Sequence, residues 1–431
     1  MKWRPGLSNV RWYAGLFLLA ALPRLAYLCV ARPFFTGVYW AAAGGLLYDG
    51  SLAVEGTKTT ALEPLYPLFL AVSRFLARDH LFLVQVFQVA IASLGAVYLY
   101  RLAEVLTGRP WLAAISAFFY AVDPLLVRQA GGGSDLALAT TLLVAFSYVF
   151  VSATTTAGAA VAGVLLGLVV LTRTMAVPLV ALGAGVLIAD RRHPAALAMA
   201  VAAVVLIVPF PIRNHSVDGS WWPTRSGLNL FEGNSPYTPA LLPTYDLDIL
   251  AEQSESFVAH ERPDLSAAAP EYEHLVDIFL TRRALAYMAE RPLRTLYQKM
   301  WNVAYFFSPR LVPFRVSTPD TRLAIGPTGR VTVENSAPRP LVEEITYSVF
   351  HSFVLVTALI GVYLRRHNLR RDAILWCVAA TFVAVHVMYF PATRYRGPME
   401  FVLLFYAAVT LERWSRGCRD SENFEKTRST L

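Results

Sequence analysis

The feature that most constrains this chain is a succession of apolar runs joined by short, arginine-rich turns. Trp12–Ala31 is the first, and at twenty residues it is long enough to cross a bilayer as a helix. Further runs follow at 81–102, 111–127, 136–151, 157–171, 177–189, 195–210, 345–364, 373–389 and 401–411. A soluble fold could not bury so much apolar surface, because only 16% of the residues are charged, against about a quarter in soluble domains. The net charge of +8 would point to nucleic acid in a soluble protein. Here the arginines sit between apolar runs, where the positive-inside rule places them in the cytoplasm, and no basic soluble segment is left over.

The same rule sets the expected topology. Lys2, Arg4 and Arg11 put the N-terminus inside, as do Arg101 with Arg109, Arg191 with Arg192, and Arg365, Arg366, Arg370 and Arg371 for later turns. About ten transmembrane helices result, with both termini cytoplasmic. The first outer loop carries two shorter candidates, Val38–Tyr48 and the run 64–76, which read as interfacial helices. The run 211–341 is polar and far too long for a connector, so it reads as an α-rich soluble domain on the outer face. Its segments 275–288 and 293–307 have the period of amphipathic helices. The expected fold class is therefore an all-α polytopic membrane protein. Its parts are a transmembrane module over 1–210, the outer domain over 211–341, C-terminal membrane helices over 342–413 and a cytoplasmic tail over 414–431.

This topology gathers polar features from distant parts of the chain on one face. Glu63 stands before a proline turn, where partial desolvation would raise its pKa toward that of a useful base. In the alternative reading it is a solvated loop acid paired with Lys58 or Arg74. Asp135 follows Gly131-Gly132-Gly133-Ser134 and suits either a helix N-cap or a site acid. Arg394 and Arg396 flank Tyr395 in a tight loop, and the planar guanidinium suits phosphate. Arg173 and Arg213 are similar candidates. Lipid-headgroup anchoring is the competing role for all four. Cys29, Cys377 and Cys418 are too far apart in sequence for a disulfide framework. His215, His260, His274 and His386 have no zinc-ligand spacing, and no metal site is read from the residues. There is no Walker loop, dinucleotide fingerprint or nucleophile elbow.

The order of several stretches resembles the GT-C superfamily of membrane glycosyltransferases, most nearly the bacterial relatives of protein O-mannosyltransferases and aminoarabinose transferases. They are Tyr39 with its Ala-rich helix, EPLYPLFLA (63–71), DPLLVRQAGGGSD (123–135), LTRTMAVP (171–178), PFPIRNHSVDGSWWPTRSGLNLFEGNSPYT (209–238), RRALAYMAERPLRTLYQKMWNVAYFF (282–307) and TRYRGPMEFVLLFYAA (393–408). The resemblance implies a multi-pass enzyme of the cell membrane, active on the extracytoplasmic face, that of a bacterial inner membrane. Such an enzyme takes a sugar from a polyprenyl-phosphate donor to an envelope acceptor. An outer-loop carboxylate, Glu63 with Asp135, would deprotonate the acceptor, and Arg394, Arg396, Arg173 and Arg213 would hold the donor phosphate. Tyr39, Tyr66, Asn214, Asn234 and Tyr395 would line the groove. Some members also bind a divalent metal, which leaves that cofactor open. The family's acid a few residues before the tyrosine is missing here, where the chain reads Phe34-Phe35-Thr36-Gly37-Val38. A transporter or lipid flippase, and a non-catalytic relative that binds or assembles, are the rival classes.

Overall fold

The computed structural model describes residues 7–266, 269–318, 320–325 and 331–429; Lys2 and Arg4 lie outside them. The first half contains α1 (Leu7–Ala31), α2 (Val38–Tyr48), α3 (Leu65–Ala77), α4 (Leu81–Thr107), α5 (Pro110–Val122), α6 (Pro124–Gly131), α7 (Leu136–Ser152), α8 (Thr156–Thr172), α9 (Pro178–Ala189) and α10 (His193–Ile207). The polar stretch that follows contains α11 (Pro209–Asp218), α12 (Ser226–Gly233), α13 (Thr238–Leu241), α14 (Leu250–Glu261), α15 (Tyr272–Glu290) and α16 (Pro292–Phe306). The chain closes with α17 (Leu341–Leu364), α18 (Ala373–Met388) and α19 (Gly397–Ser429). Strands are few and short. β1 (Ala53–Val54) pairs with β2 (Thr57–Lys58), β3 (Arg315–Val316) with β6 (Ala337–Pro338), and β4 (Arg322–Ile325) with β5 (Val331–Glu334), all antiparallel.

Four helical stretches are long and apolar enough to cross a membrane: Val10–Ala31, Leu81–Thr107, His193–Asp218 and Leu341–Asn368. Helices α5 and α6 make a fifth if the pair, bent by 52°, is one span. The chain is thus a multi-pass membrane protein. The remaining apolar helices, α3, α7, α8, α9 and α18, are shorter than the twenty or so residues of a straight span. Length alone therefore does not reach the ten spans expected from sequence. Both helices expected in the first loop are present, α2 over the same residues and α3 within one residue at each end.

The bend between α5 and α6 shows how buried polar groups are handled. Pro124 cannot donate a backbone hydrogen bond, so the ladder fails there. Asp123 caps the new start, accepting from the amides of Leu125 (2.8 Å) and Leu126 (3.1 Å). Arg24, fully buried, donates to the carbonyls of Tyr120 (3.0 Å) and Ala121 (3.0 Å), which the break leaves open. In an apolar surrounding such groups must find partners inside the protein. Close packing rests on small residues: a β-carbon on Gly163 would collide with Met199 across α8 and α10, and one on Gly361 with Tyr406 across α17 and α19.

The polar stretch has small apolar cores of its own. Leu241, Leu247, Leu250 and Leu323 pack with Phe390, and Phe231, Val258, Leu280 and Ala284 form another cluster. It is joined to the first loop by hydrogen bonds. Arg213 donates to the carbonyls of Thr59 (2.6 Å) and Leu52 (3.0 Å). Glu273 accepts from the Thr59 hydroxyl (2.9 Å) and the Thr60 amide (2.9 Å).

Candidate functional site

Between α8 and α9 the chain makes a tight Thr-Arg-Thr turn, and the candidate site is built around it. The Thr174 amide (3.1 Å) and hydroxyl (2.9 Å) both donate to Oε1 of Glu63. Pro64, the N-cap position of α3, fixes the chain direction just beyond that acid. One residue earlier in the turn, Arg173 forks onto Asp135, with Nε 2.7 Å from Oδ2 and a second donor 3.0 Å from Oδ1. Two acids 72 positions apart are thus held by adjacent residues of one turn. Asp135 does not cap α7 with its side chain; both of its oxygens serve Arg173.

The ring of Tyr395 extends the cluster. The Arg173 guanidinium lies 5.2 Å from its centroid and that of Arg394 lies 4.8 Å away. His386 stacks on it at 4.8 Å and 6°. Arg394 is ion-paired with Asp246 and with Asp248, the latter at 2.7 Å. Tyr39 faces the cluster from α2 and meets Tyr66 edge-on at 5.0 Å. Among the described residues, no other residue donates to Oε2 of Glu63, whose carboxyl also accepts from its own amide, and no partner reaches the Tyr39 hydroxyl. These are the open valences of the site.

Burial is the first cause of the electrostatics here. It pushes the Glu63 carboxyl above its ordinary range, and neighbouring Asp135 pushes it further, against Arg173 and the Thr174 amide. Burial likewise raises the Tyr39 phenol well above its usual value, with Asp135 and Glu63 adding to it. Burial opposes the charge of Arg173, yet Asp135 more than offsets it and the guanidinium stays firmly protonated. The cluster therefore holds a carboxyl whose protonated form is favoured by its surroundings beside a cation that keeps its charge.

The other expected residues lie in different surroundings. Arg396 is fully buried away from Arg394, since the short turn 393–396 points the two in different directions. It donates to Glu400 (2.5 Å), the Phe306 carbonyl (2.9 Å), the Tyr347 hydroxyl (2.6 Å) and His351 (3.1 Å). The expectation that both arginines flanking Tyr395 meet one anion is thus not met, because a guanidinium this deep needs all its donors paired. Arg213 holds the first loop and donates to Asn214 (3.0 Å), which is itself buried. Tyr66 is buried behind Tyr39 and donates to Gln88 (2.7 Å). Asn234 binds the carbonyls of Leu230 and Met388, each at 2.9 Å. Both Asp135 oxygens are on Arg173, and among the described residues no three His, Cys, Asp or Glu side chains form a metal-holding group.

Four residues not singled out from sequence join the site. Asp246 and Asp248 hold Arg394. Arg225, at the start of α12, is half-buried, and among the described residues its guanidinium has no hydrogen bond or ion pair. Asp248, Glu232, Tyr395 and Tyr39 all bear on its charge. Glu232 is fully buried with neither carboxylate oxygen partnered. Burial, then Asp248, drives its carboxyl well above the ordinary range, against Arg225. The only sequence signal for Arg225 is its place just before a Ser-Gly helix start. The segment without the expected acid is occupied by packing: Gly133 donates to the Phe34 carbonyl (3.3 Å), and any β-carbon on Gly133 would collide with Phe35.

No family model matches the chain, and no curated protein matches it in sequence. Solved structures do match. The oligosaccharyltransferase AglB from Archaeoglobus fulgidus, in complex with an inhibitory peptide and a dolichol-phosphate, superposes at a TM-score of 0.53 with 13% identity, over 98% of this chain and 52% of that one. The Archaeoglobus fulgidus oligosaccharyltransferase in complex with Zn and sulfate gives 0.49 at 13% identity over 96% and 51%. ArnT from Cupriavidus metallidurans bound to undecaprenyl phosphate gives 0.38 at 13% identity over 96% and 79%. The first of these carries the comparison: the chain has the fold of that oligosaccharyltransferase. It spans about half the length of the oligosaccharyltransferase it matches.

Proposed function

We propose that the protein is an integral membrane glycosyltransferase that moves a sugar from a polyprenyl-phosphate donor to an envelope acceptor on the extracytoplasmic face. The observation that carries this reading is the Glu63–Thr174–Arg173–Asp135 arrangement on a GT-C fold. Glu63 is the general base. Its Oε1 is fixed by Thr174, and its free Oε2 takes the proton of the acceptor hydroxyl. The hydroxyl oxygen then bonds to the anomeric carbon as the bond to the donor phosphate breaks, and the phosphate leaves with the electron pair. Asp135 orients Arg173 and keeps it charged rather than moving a proton itself.

The departing phosphate needs cations, because its negative charge grows as the bond breaks. Arg225 is the natural anchor, since its guanidinium has no carboxylate within ion-pair distance among the described residues. Arg173 and Arg394, already paired, add positive potential from either side of Tyr395. The Tyr39 hydroxyl is placed to bond the ligand. Membership of the site for Arg396 and Tyr66 is structural support at most, given their burial.

A transporter would hold unpaired ionisable groups along a pathway. Arg24 and Arg396 are instead bound to fixed partners. The test is transfer itself. Purified protein in lipid, given labelled polyprenyl-phosphate sugars and an envelope acceptor extract, should release polyprenyl phosphate and label the acceptor, and Glu63→Gln should do neither. Absence of transfer by the wild-type protein with every donor, alongside substrate uptake into proteoliposomes, would reject the reading.

A further inference from the structure

Helix α16 is turned inside out for a helix of a polar segment. Leu293 (81% exposed), Leu296 (60%), Tyr297 (62%), Met300 (66%) and Trp301 (46%) fall at i, i+3, i+4, i+7 and i+8 and make one uncovered apolar face. The opposite face, with Thr295, Lys299, Asn302 and Phe306, is buried. Soluble surfaces rarely leave such a stripe in water.

The buried face shows where the helix sits. Lys299 Nζ donates to the Met388 carbonyl (2.8 Å), and Asn302 donates to that of Val387 (2.9 Å). These are the last carbonyls of apolar α18, which have no partner within their own helix. A lysine there also suits the negative end of the helix dipole. α16 thus lies against the end of a membrane helix, where the apolar bundle stops. The chain just beyond it touches the first turns of α17, where Tyr347 donates to the Ser308 carbonyl (3.3 Å). α17 starts a stretch long enough to span, and its exposed Leu341, Val342, Ile345 and Val349 continue the uncovered face.

We propose that α16 lies flat in the headgroup region of an anionic bilayer. Its apolar face enters the acyl boundary, and the exposed Arg291 and Arg294 meet lipid phosphates. Tyr297, Trp301 and Tyr305 run along the helix with successive rings about 6 Å apart (6.2 and 6.0 Å), the residue types that favour headgroup depth. Among the described residues neither arginine has a carboxylate partner, so both are free for phosphate oxygens. The seating reaches further than α16. Lys299 also donates to the Gly233 carbonyl (3.2 Å), beside Glu232 on α12. The lipid surface therefore sets the height of α12, and with it of Arg225.

The full chain in nanodiscs of phosphatidylcholine and phosphatidylglycerol tests this. The difference in emission between wild type and Trp301→Phe isolates Trp301. Lipids brominated near the headgroup end of the chains should quench that component, and Arg291→Gln with Arg294→Gln should weaken the quenching in anionic discs. No bromolipid quenching overturns the proposal, whether the component is open to aqueous iodide or shielded by a second copy of the chain. If Trp301→Phe does not fold, the gain of a quenchable component in Tyr297→Trp gives the same decision.

Discussion

Two arginine clusters of this protein use the same residue types to opposite ends. Around Arg396, deep in the bundle, the nitrogen donors are taken up by Glu400, Tyr347, His351 and the Phe306 carbonyl. Around Arg173 the ion pair with Asp135 is close, but Nε makes no hydrogen bond and the neighbours are left open. Glu63 keeps a free oxygen, Tyr39 a free hydroxyl, and nearby Arg225 a whole guanidinium. Saturated pairing is what a buried charge needs to be tolerated. Unfilled valence beside a fixed ion pair is what a ligand needs in order to bind. The difference separates a strut from a site more surely than residue type does.

The comparison can be broken by mutation. Glu63→Gln keeps the shape and the acceptor for Thr174 but removes the base, so transfer should fall by about 10²–10⁴ while the melting temperature in detergent stays near wild type. A wild-type rate in this variant would take Glu63 out of the chemistry. Arg396→Ala strands Glu400 in the bundle and should lower stability by about 3–5 kcal/mol, read from thermal or denaturant unfolding. If it instead left stability intact and abolished donor binding, Arg396 would belong to the site after all.

Smaller effects sharpen the same contrast. Arg225→Ala should weaken binding of polyprenyl phosphate by about 1.5–3 kcal/mol, roughly ten- to a hundredfold in Kd, with little change in unfolding. Titrating the lipid against purified protein by native mass spectrometry would show it. The pH dependence follows from the sign of the Glu63 shift. Its carboxyl is raised by burial and by Asp135, and the base must be ionised, so transfer should rise with pH through that raised value and be lost below it. The folded state also holds the proton more tightly than the unfolded chain. Stability should therefore decline as pH climbs from the ordinary carboxylate range through the raised one. A pH–rate profile of wild type, set against the residual rate of Glu63→Gln, checks the first part. A flat wild-type profile would exclude a titrating carboxyl.

Much of the fold was legible from residues alone. Hydrophobic runs, proline and helix period are local properties, and they placed α2 over Val38–Tyr48, α3 behind Pro64, and helices over 275–288 and 293–307 that fall at 272–290 and 292–306. Glu63, Asp135, Arg173, Tyr39 and Tyr395, chosen by residue type, do come together. Pairing was not legible, because an ion pair depends on which distant turns meet. Arg394 and Arg396, two positions apart, end with different partners, and Arg225 had no pattern to mark it. The reversed face of α16 follows the same logic. Its period is written in the sequence, but which face is covered depends on the open carbonyls at the end of α18, and these exist only once the bundle is assembled. Sequence by itself thus determined a multi-pass helical protein and the residue types of its candidate site. The tertiary structure decided which charges are spent on one another and which are left for a ligand, since desolvation and pairing are settled only by long-range contact.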